Sequence, residues 1–307
     1  MGEISFNYLV ILICLIVNYT WLKDFDRFDD GWFFRFRRAI ERQLAGASAK
    51  GGNSWWLSLV IIYTIPLLVL VGLLVLLDTQ FFGLPTMLLH ILVLLIAFDR
   101  TQPGKMVADF LERWRKGDLE SCVEFLLQDM GIPDAECERE ETSLKNCFSK
   151  KLVNRYFEKM FVMFFWYMLA GPLGILFNYI SYQLRDSQSE VVSEQSVILI
   201  SWVIYVVEWM PIRLLGLTFS LAGNFVDSFD RFKAFFWRFS LDLDSEELLL
   251  SFALGSLERS DHNPEAKVGT EGFRDQTAVE IETLQGLLER SQMIWLIILA
   301  LITIFSL

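Results

Sequence analysis

The stretch WWLSLVIIYTIPLLVLVGLLVLL, from Trp55 to Leu77, decides the fold. A helix crosses a hydrocarbon core of about 30 Å with about 20 predominantly apolar residues. Trp55 to Leu77 meets that requirement without a charge, and only Pro66 is there to bend it.

Working outward, Gly83 to Phe98, Phe157 to Tyr182, Ser196 to Leu221 and Met293 to Leu307 also qualify as spans, the first and last of them short. Ile4 to Trp21 is a sixth candidate, interrupted by Asn7 and Asn18. Its start carries Glu3 where a signal peptide would carry basic residues, and no small-x-small cleavage site follows, so it reads as a retained segment. The whole chain of 307 residues is 53% hydrophobic, with 27 Phe and 10 Trp. That composition predicts an all-α, polytopic membrane bundle of five to six membrane helices, with residues 1–307 forming one integral membrane domain.

A formal net charge of −11 excludes nucleic acid as a partner, because the Lys and Arg residues are interleaved with more acids and build no dense basic face. Cys14, Cys122, Cys137 and Cys147 show no C-x-x-C spacing, and His90 and His262 lie far from them. No metal site or disulfide framework is legible, and the thiols are expected to be reduced and unpaired.

Basic residues alternate between the connecting segments. Arg35, Arg37, Arg38 and Arg42 follow the first span, and Arg113, Arg115, Lys116, Lys150 and Lys151 follow the third, which places both segments in the cytoplasm. The connectors Asp78 to Phe82 and Arg185 to Gln195 belong outside, and Arg231, Lys233 and Arg238 bring the chain back inside. Six crossings with both termini outside satisfy this pattern; five crossings follow if Ile4 to Trp21 lies in the interface.

The cytoplasmic segments are then 23–54, 99–151 and 224–292. The first sets Phe25, Phe28, Trp32, Phe36 and Ile40 against Asp26, Asp29, Arg37 and Glu41, and the third repeats the design with Phe225, Phe229, Phe232, Phe236 and Phe239. Both read as amphipathic helices, packing within the protein or lying in the membrane interface. Between Asp99 and Lys151, one helical pattern runs through Phe110, Leu111 and Trp114 and a second through Leu119, Val123, Leu126 and Leu127, stopped by Gly131-Ile132-Pro133. This predicts a helical hairpin. Gly255 to Glu282, polar and broken at Asp261-His262-Asn263-Pro264, reads as a mobile loop.

No phosphate-cradling G-x-x-x-x-G-K-[ST] or G-x-G-x-x-G loop and no G-x-S-x-G elbow is present, so no catalytic residue and no cofactor is assigned. What remains is polar residues inside spans, where a charged side chain costs about 2.5–3.5 kcal/mol and is a functional candidate by default. Glu208 and Arg213 flank Trp209 and Pro211 in the fifth span, with Asn178 in the fourth and His90 in the third. Five residues place Glu208 and Arg213 about 140° apart, so pairing on one helix face requires a break, and Pro211 is positioned to make one. Glu158 and Lys159 sit near an edge, where snorkelling to water explains them. His90 by itself reads as a satisfied packing histidine, and the charged pair either locks helix packing or forms a site.

Phe165-Trp166 followed by Ala170-Gly171-Pro172-Leu173-Gly174, then Trp209-Met210-Pro211-Ile212-Arg213-Leu214 leading into Phe219-Ser220-Leu221-Ala222-Gly223-Asn224-Phe225, resemble the AmpE family over most of the chain. The resemblance implies a Gram-negative inner-membrane protein, encoded beside a cell-wall amidase, with a part in modulating β-lactamase induction. It makes Arg213, Trp209, Pro211 and Asn224 binding candidates beside Glu208, Asn178 and His90. The family shares ancestry with the CobD/CbiB synthases of cobalamin assembly. Asn178-Tyr179 stands where the family commonly has Tyr-Arg, however, and the Glu-Asn and Asn-Thr-Leu-Asp-Ser stretches of the synthases are absent. Three functions remain in view: a non-enzymatic modulator working through membrane proteins, lipid or a cell-wall fragment; a CobD/CbiB-like synthetase; and a muropeptide carrier. A reporter that is active only in the cytoplasm, fused at residue 1, is expected to be silent on the six-span reading; activity would refute it.

Overall fold

The computed structural model describes residues 3–20, 31–48, 54–78, 83–97, 103–132, 139–186, 194–223, 233, 245–257 and 267–305, and among them there is no strand. The helices are α1 (Glu3–Thr20), α2 (Gly31–Ser48), α3 (Ser54–Asp78), α4 (Leu84–Ala97), α5 (Pro103–Arg115), α6 (Leu119–Gln128), α7 (Glu141–Tyr156), α8 (Met163–Asp186), α9 (Glu194–Ala222), α10 (Ser245–Leu257) and α11 (Glu271–Phe305). A π-helical turn, Phe157–Val162, joins α7 to α8.

Trp56–Leu77, Glu141–Asp186, Gln195–Ala222 and Glu271–Phe305 are long and apolar enough to cross a membrane, while Phe6–Val17 and Leu84–Ala97 are shorter apolar helices. All six expected segments therefore fall in helices. With 14 residues, α4 is only about 21 Å long and falls short of a full hydrocarbon core. On α3, Leu68, Val75 and Leu76 are 63%, 68% and 69% exposed. Apolar surface of that extent is stable only against another apolar phase, so the chain is an all-helical membrane protein.

The helices form two compact units. The first comprises Met1–Arg100, Val162–Glu208 and Ile302–Leu307. In it α1 packs on α4 and α8, α3 on α4 and α8, and α2 on α3. Val10, Ile11, Leu94, Phe164, Tyr167 and Ile175 make its interior. Lipid tails are as apolar as these side chains, so close packing and interhelical hydrogen bonds hold such helices together. One is the Tyr63 hydroxyl to Ser181 Oγ contact at 3.0 Å; in another, Cys14 Sγ donates to the Ile91 carbonyl at 3.8 Å.

The break expected at Pro211 is absent, and α9 runs on through it. The break lies in α8, where Gly171 takes φ 59° and ψ −148°, a region open essentially to glycine alone. Pro172 adds a residue without an N–H, and a Cβ on Gly174 would stand 2.7 Å from the Trp166 carbonyl oxygen and 2.9 Å from Ala170 Cβ. Ala170-Gly171-Pro172-Leu173-Gly174 is thus a built kink: one glycine supplies the dihedral and the other lets the two halves of the helix close up.

The faces of α2 are rotated from the sequence reading. Phe33, Arg37 and Ile40 are buried and Trp32 is 39% exposed, because Arg37 can go inside once its Nε donates to Glu41 at 2.7 Å. The aromatic run from Phe225 to Phe239 lies outside the described residues.

The second unit comprises Thr101–Phe161 and Trp209–Leu301. The expected helical hairpin is α5 and α6, turning at Gly117 with φ 71°. Asp118 caps α6 by accepting from the Ser121 amide at 3.0 Å and the Ser121 hydroxyl at 2.7 Å. The Phe110 ring stacks on Phe148 with centroids 3.9 Å apart, and the Trp114 indole donates to the Arg274 carbonyl at 3.2 Å. Glu141, 4% exposed, accepts from Arg274 Nε at 2.9 Å and the Gly269 amide at 2.8 Å, while Lys145 pairs with Glu280.

Three expectations fail here. Of the segment taken as a mobile loop, the residues from Glu271 onward belong to α11, a helix of 35 residues and about 52 Å. Ala278, Ile281, Leu284 and Leu288 bury one face of it, a helical spacing hidden among charged neighbours. Glu158 is 5% exposed rather than snorkelling, held by Asn154 Nδ2 at 2.9 Å. Cys14 and Cys122 are free and buried, but Cys147 is disulfide-bonded.

Hydrogen bonds from Ser121, first through its hydroxyl and then its amide, hold the Asp118 carboxyl below its usual range, with Lys116 adding to the shift. A depressed folded-state pKa gives stabilisation that is complete above the unfolded value, about 4, and is lost as pH falls through the folded one. The exchange protection factors of the Ser121 and Cys122 amides should therefore fall on acidification below about pH 4, and Asp118→Ala should show the reduced protection already at neutral pH.

Candidate functional site

Pro211 sits inside α9 and brings no N–H, so the carbonyl of Val207, one turn earlier, loses its helical partner. In water a solvent molecule would replace it; in hydrocarbon the protein must. Trp166 Nε1 donates to the Val207 carbonyl at 3.0 Å. Trp166 can reach it because α8 presents the residues just before the Gly171 kink to α9. Trp166, in one of the two stretches that carry the family resemblance, therefore supplies the donor that Pro211, in the other, removes.

One residue further, Glu208 is 3% exposed and accepts a hydrogen bond from the Tyr182 hydroxyl at 3.0 Å. Tyr182 is one turn beyond Asn178 on α8, so the two side chains leave the same helix face. Asn178 is 0% exposed, and neither its Oδ1 nor its Nδ2 has a hydrogen-bond partner. A buried amide left unpaired costs roughly 2–7 kcal/mol. An acid and an orphaned amide thus lie along one face of α8 and α9 in the first unit.

Trp209, Pro211 and Arg213 belong to the second unit. Arg213, 6% exposed, donates through Nη1 to the Trp209 carbonyl at 2.8 Å, and its guanidinium lies 4.1 Å from the centre of the Trp209 ring. The indole face stabilises a guanidinium that hydrocarbon would otherwise penalise. His90 stands apart from Asn178: its Nδ1 lies 2.9 Å from the Tyr167 hydroxyl and Phe6 packs edge-on at 5.1 Å, the arrangement of a packing histidine. Asn224 lies outside the described residues. No group of three or more His, Cys, Asp or Glu able to hold a metal is assembled among the described residues.

Sequence reading did not find Tyr182 or the Asn154 cluster, and it named Trp166 only within a family stretch, without its role as a donor to Val207. Tyr182 had a usable signal, four residues after Asn178 in an otherwise apolar stretch. Asn154 had none: its Nδ2 bridges Glu158 at 2.9 Å and Glu246 at 2.7 Å, and Glu246 is remote in sequence.

Helices with lipid-exposed apolar faces, a glycine-proline kink and buried polar side chains define an integral membrane protein of the all-helical class. A family model described as regulatory signalling modulator protein AmpE matches residues 12–306. The chain belongs to the AmpE family. No curated protein and no solved structure matches it.

Trp166→Phe should lower stability in detergent by about 0.6–2 kcal/mol, the range of interhelical hydrogen bonds in membranes. In a Pro211→Ala background, where residue 211 can donate to Val207 again, most of that penalty should vanish; a double-mutant cycle on unfolding midpoints reads the coupling.

Proposed function

We propose that this protein is a multi-pass protein of the bacterial inner membrane that modulates β-lactamase induction in step with cell-wall recycling, responding through a polar site inside the membrane around Asn178, Tyr182 and Glu208. Family membership supports the regulatory part of this reading. The observation that carries the site is Asn178, whose amide is fully buried with both polar atoms unpartnered. A side chain kept at that cost in hydrocarbon is retained for something other than stability. On this reading a ligand or partner element with both a donor and an acceptor satisfies the amide, and Glu208 with its Tyr182 hydrogen bond adds an acceptor alongside.

The segments 23–54, 99–151 and 224–292, which hold most of the Lys and Arg of the chain, face the cytoplasm on the same reading. The disulfide at Cys147 pulls toward an oxidising compartment, but a single bond is outweighed by the basic residues of three segments. A synthetase reading has no comparable support, since the Glu-Asn and Asn-Thr-Leu-Asp-Ser stretches of the synthases are absent from the sequence.

Asn178→Leu and Glu208→Gln separate a site from a packing lock. Asn178→Leu removes an unsatisfied amide and should hold or raise the unfolding midpoint, by up to about 1–3 kcal/mol, while abolishing the protein's effect on β-lactamase induction in a complemented deletion strain. Glu208→Gln keeps the Tyr182 hydrogen bond and should likewise fold and lose the effect. Full induction control in both variants, or loss that tracks folding yield, would remove the proposal.

A further inference from the structure

On α2, we propose that Arg35, Arg38 and Arg42 form a docking stripe for the anionic headgroups of glycerophospholipids. At 100° per residue the three fall within about 60° of one another, and all three are exposed. The opposite face carries Phe33, Arg37 and Ile40, exposed by only 0%, 7% and 8%, and α2 lies on α3. The stripe therefore points away from the protein.

Its charge is not neutralised locally. Arg35 donates to the Gly31 carbonyl of its own helix at 3.1 Å, and Arg38 and Arg42 have no hydrogen-bond or ion-pair partner among the described residues. Glu41, the one acid on the described part of α2, is engaged by the buried Arg37 at 2.7 Å, off the stripe. Three guanidinium groups without ion-pair partners on one helix face make a local positive patch on a chain whose net charge is −11.

The half-exposed tryptophans near the stripe select the partner. Trp32 lies one turn before Arg35 and is 39% exposed. Trp56, 50% exposed, lies in the first turn of α3, the helix on which α2 packs. Half-exposed tryptophans mark the headgroup level of a bilayer. At that level the available anion is the lipid phosphate, which a guanidinium meets with two parallel donors, and an anionic leaflet adds attraction for every arginine.

The test titrates full-length protein in a neutral detergent with phosphatidylglycerol or phosphatidylcholine of the same acyl chains and reads the unfolding midpoint. Phosphatidylglycerol should raise the midpoint, and phosphatidylcholine should not. Each arginine removed should weaken the apparent lipid affinity about fivefold, so Arg35→Gln/Arg38→Gln/Arg42→Gln together should weaken it on the order of a hundredfold, while the matching Lys variant keeps most of it. Mass spectrometry of lipid co-purifying with the three single Gln variants gives a second readout, with a graded loss of phosphatidylglycerol expected. An equal response to phosphatidylcholine overturns the proposal, as does a phosphatidylglycerol response unchanged in the Gln variants, which would leave the stripe to an acidic protein surface. The same shift from glycerol 3-phosphate alone overturns it too, because the site would then be one for free phosphate.

Discussion

Inside a hydrocarbon layer every backbone carbonyl and amide needs a partner from the protein, and much of the described interior is arranged around that requirement. Its clearest instance is the hydrogen bond from the Trp166 indole to the Val207 carbonyl. Pro211 frees that carbonyl, and α9 nevertheless continues as a helix because a side chain from α8 takes over the lost bond. The same requirement accounts for the serine and threonine side chains that bond back within their own helices: Ser181 to Phe177, Thr218 to Leu214 and Ser291 to Leu287. Thr218 also accepts from the Trp295 indole at 2.9 Å, tying α11 to α9 within the second unit.

Against that background the exceptions become informative. Buried polar groups in this protein usually find partners even when those are distant in sequence, as Glu141 does with Arg274 and Gly269. Asn178 does not. Its contrast with His90, another polar residue in an apolar helix, is direct: His90 meets the Tyr167 hydroxyl. Equal sequence signals thus end in opposite physical states, one satisfied and one held at a cost, and only the second supports a functional reading.

Charge is handled in three ways that sequence position alone does not distinguish. Arg213 is buried and folded onto the Trp209 ring; Arg37 is buried and paired with Glu41; Arg35, Arg38 and Arg42 stay outside. Arg37 and Arg38 are adjacent, yet helical geometry turns one inward and the other outward by about 100°.

The six apolar helices, the α5–α6 hairpin and membership of the AmpE family were legible in the chain, because length, apolarity and helical spacing are properties of contiguous residues, whereas the Gly117 turn came from the structure. Pro211 was legible as a disturbance, but not its outcome: whether a proline breaks a helix depends on whether a donor such as Trp166 arrives from elsewhere. The actual kink needed the Gly171 dihedral and the close approach of Gly174 to Trp166, which glycines in a sequence only permit. Glu158, read as an edge residue, is interior because Asn154 links it to Glu246 on α10. Local pattern determined that the six apolar segments are helices. Tertiary structure alone decided which buried polar groups are satisfied, because many of their partners come from other helices, and it leaves both polar atoms of the Asn178 amide unpaired.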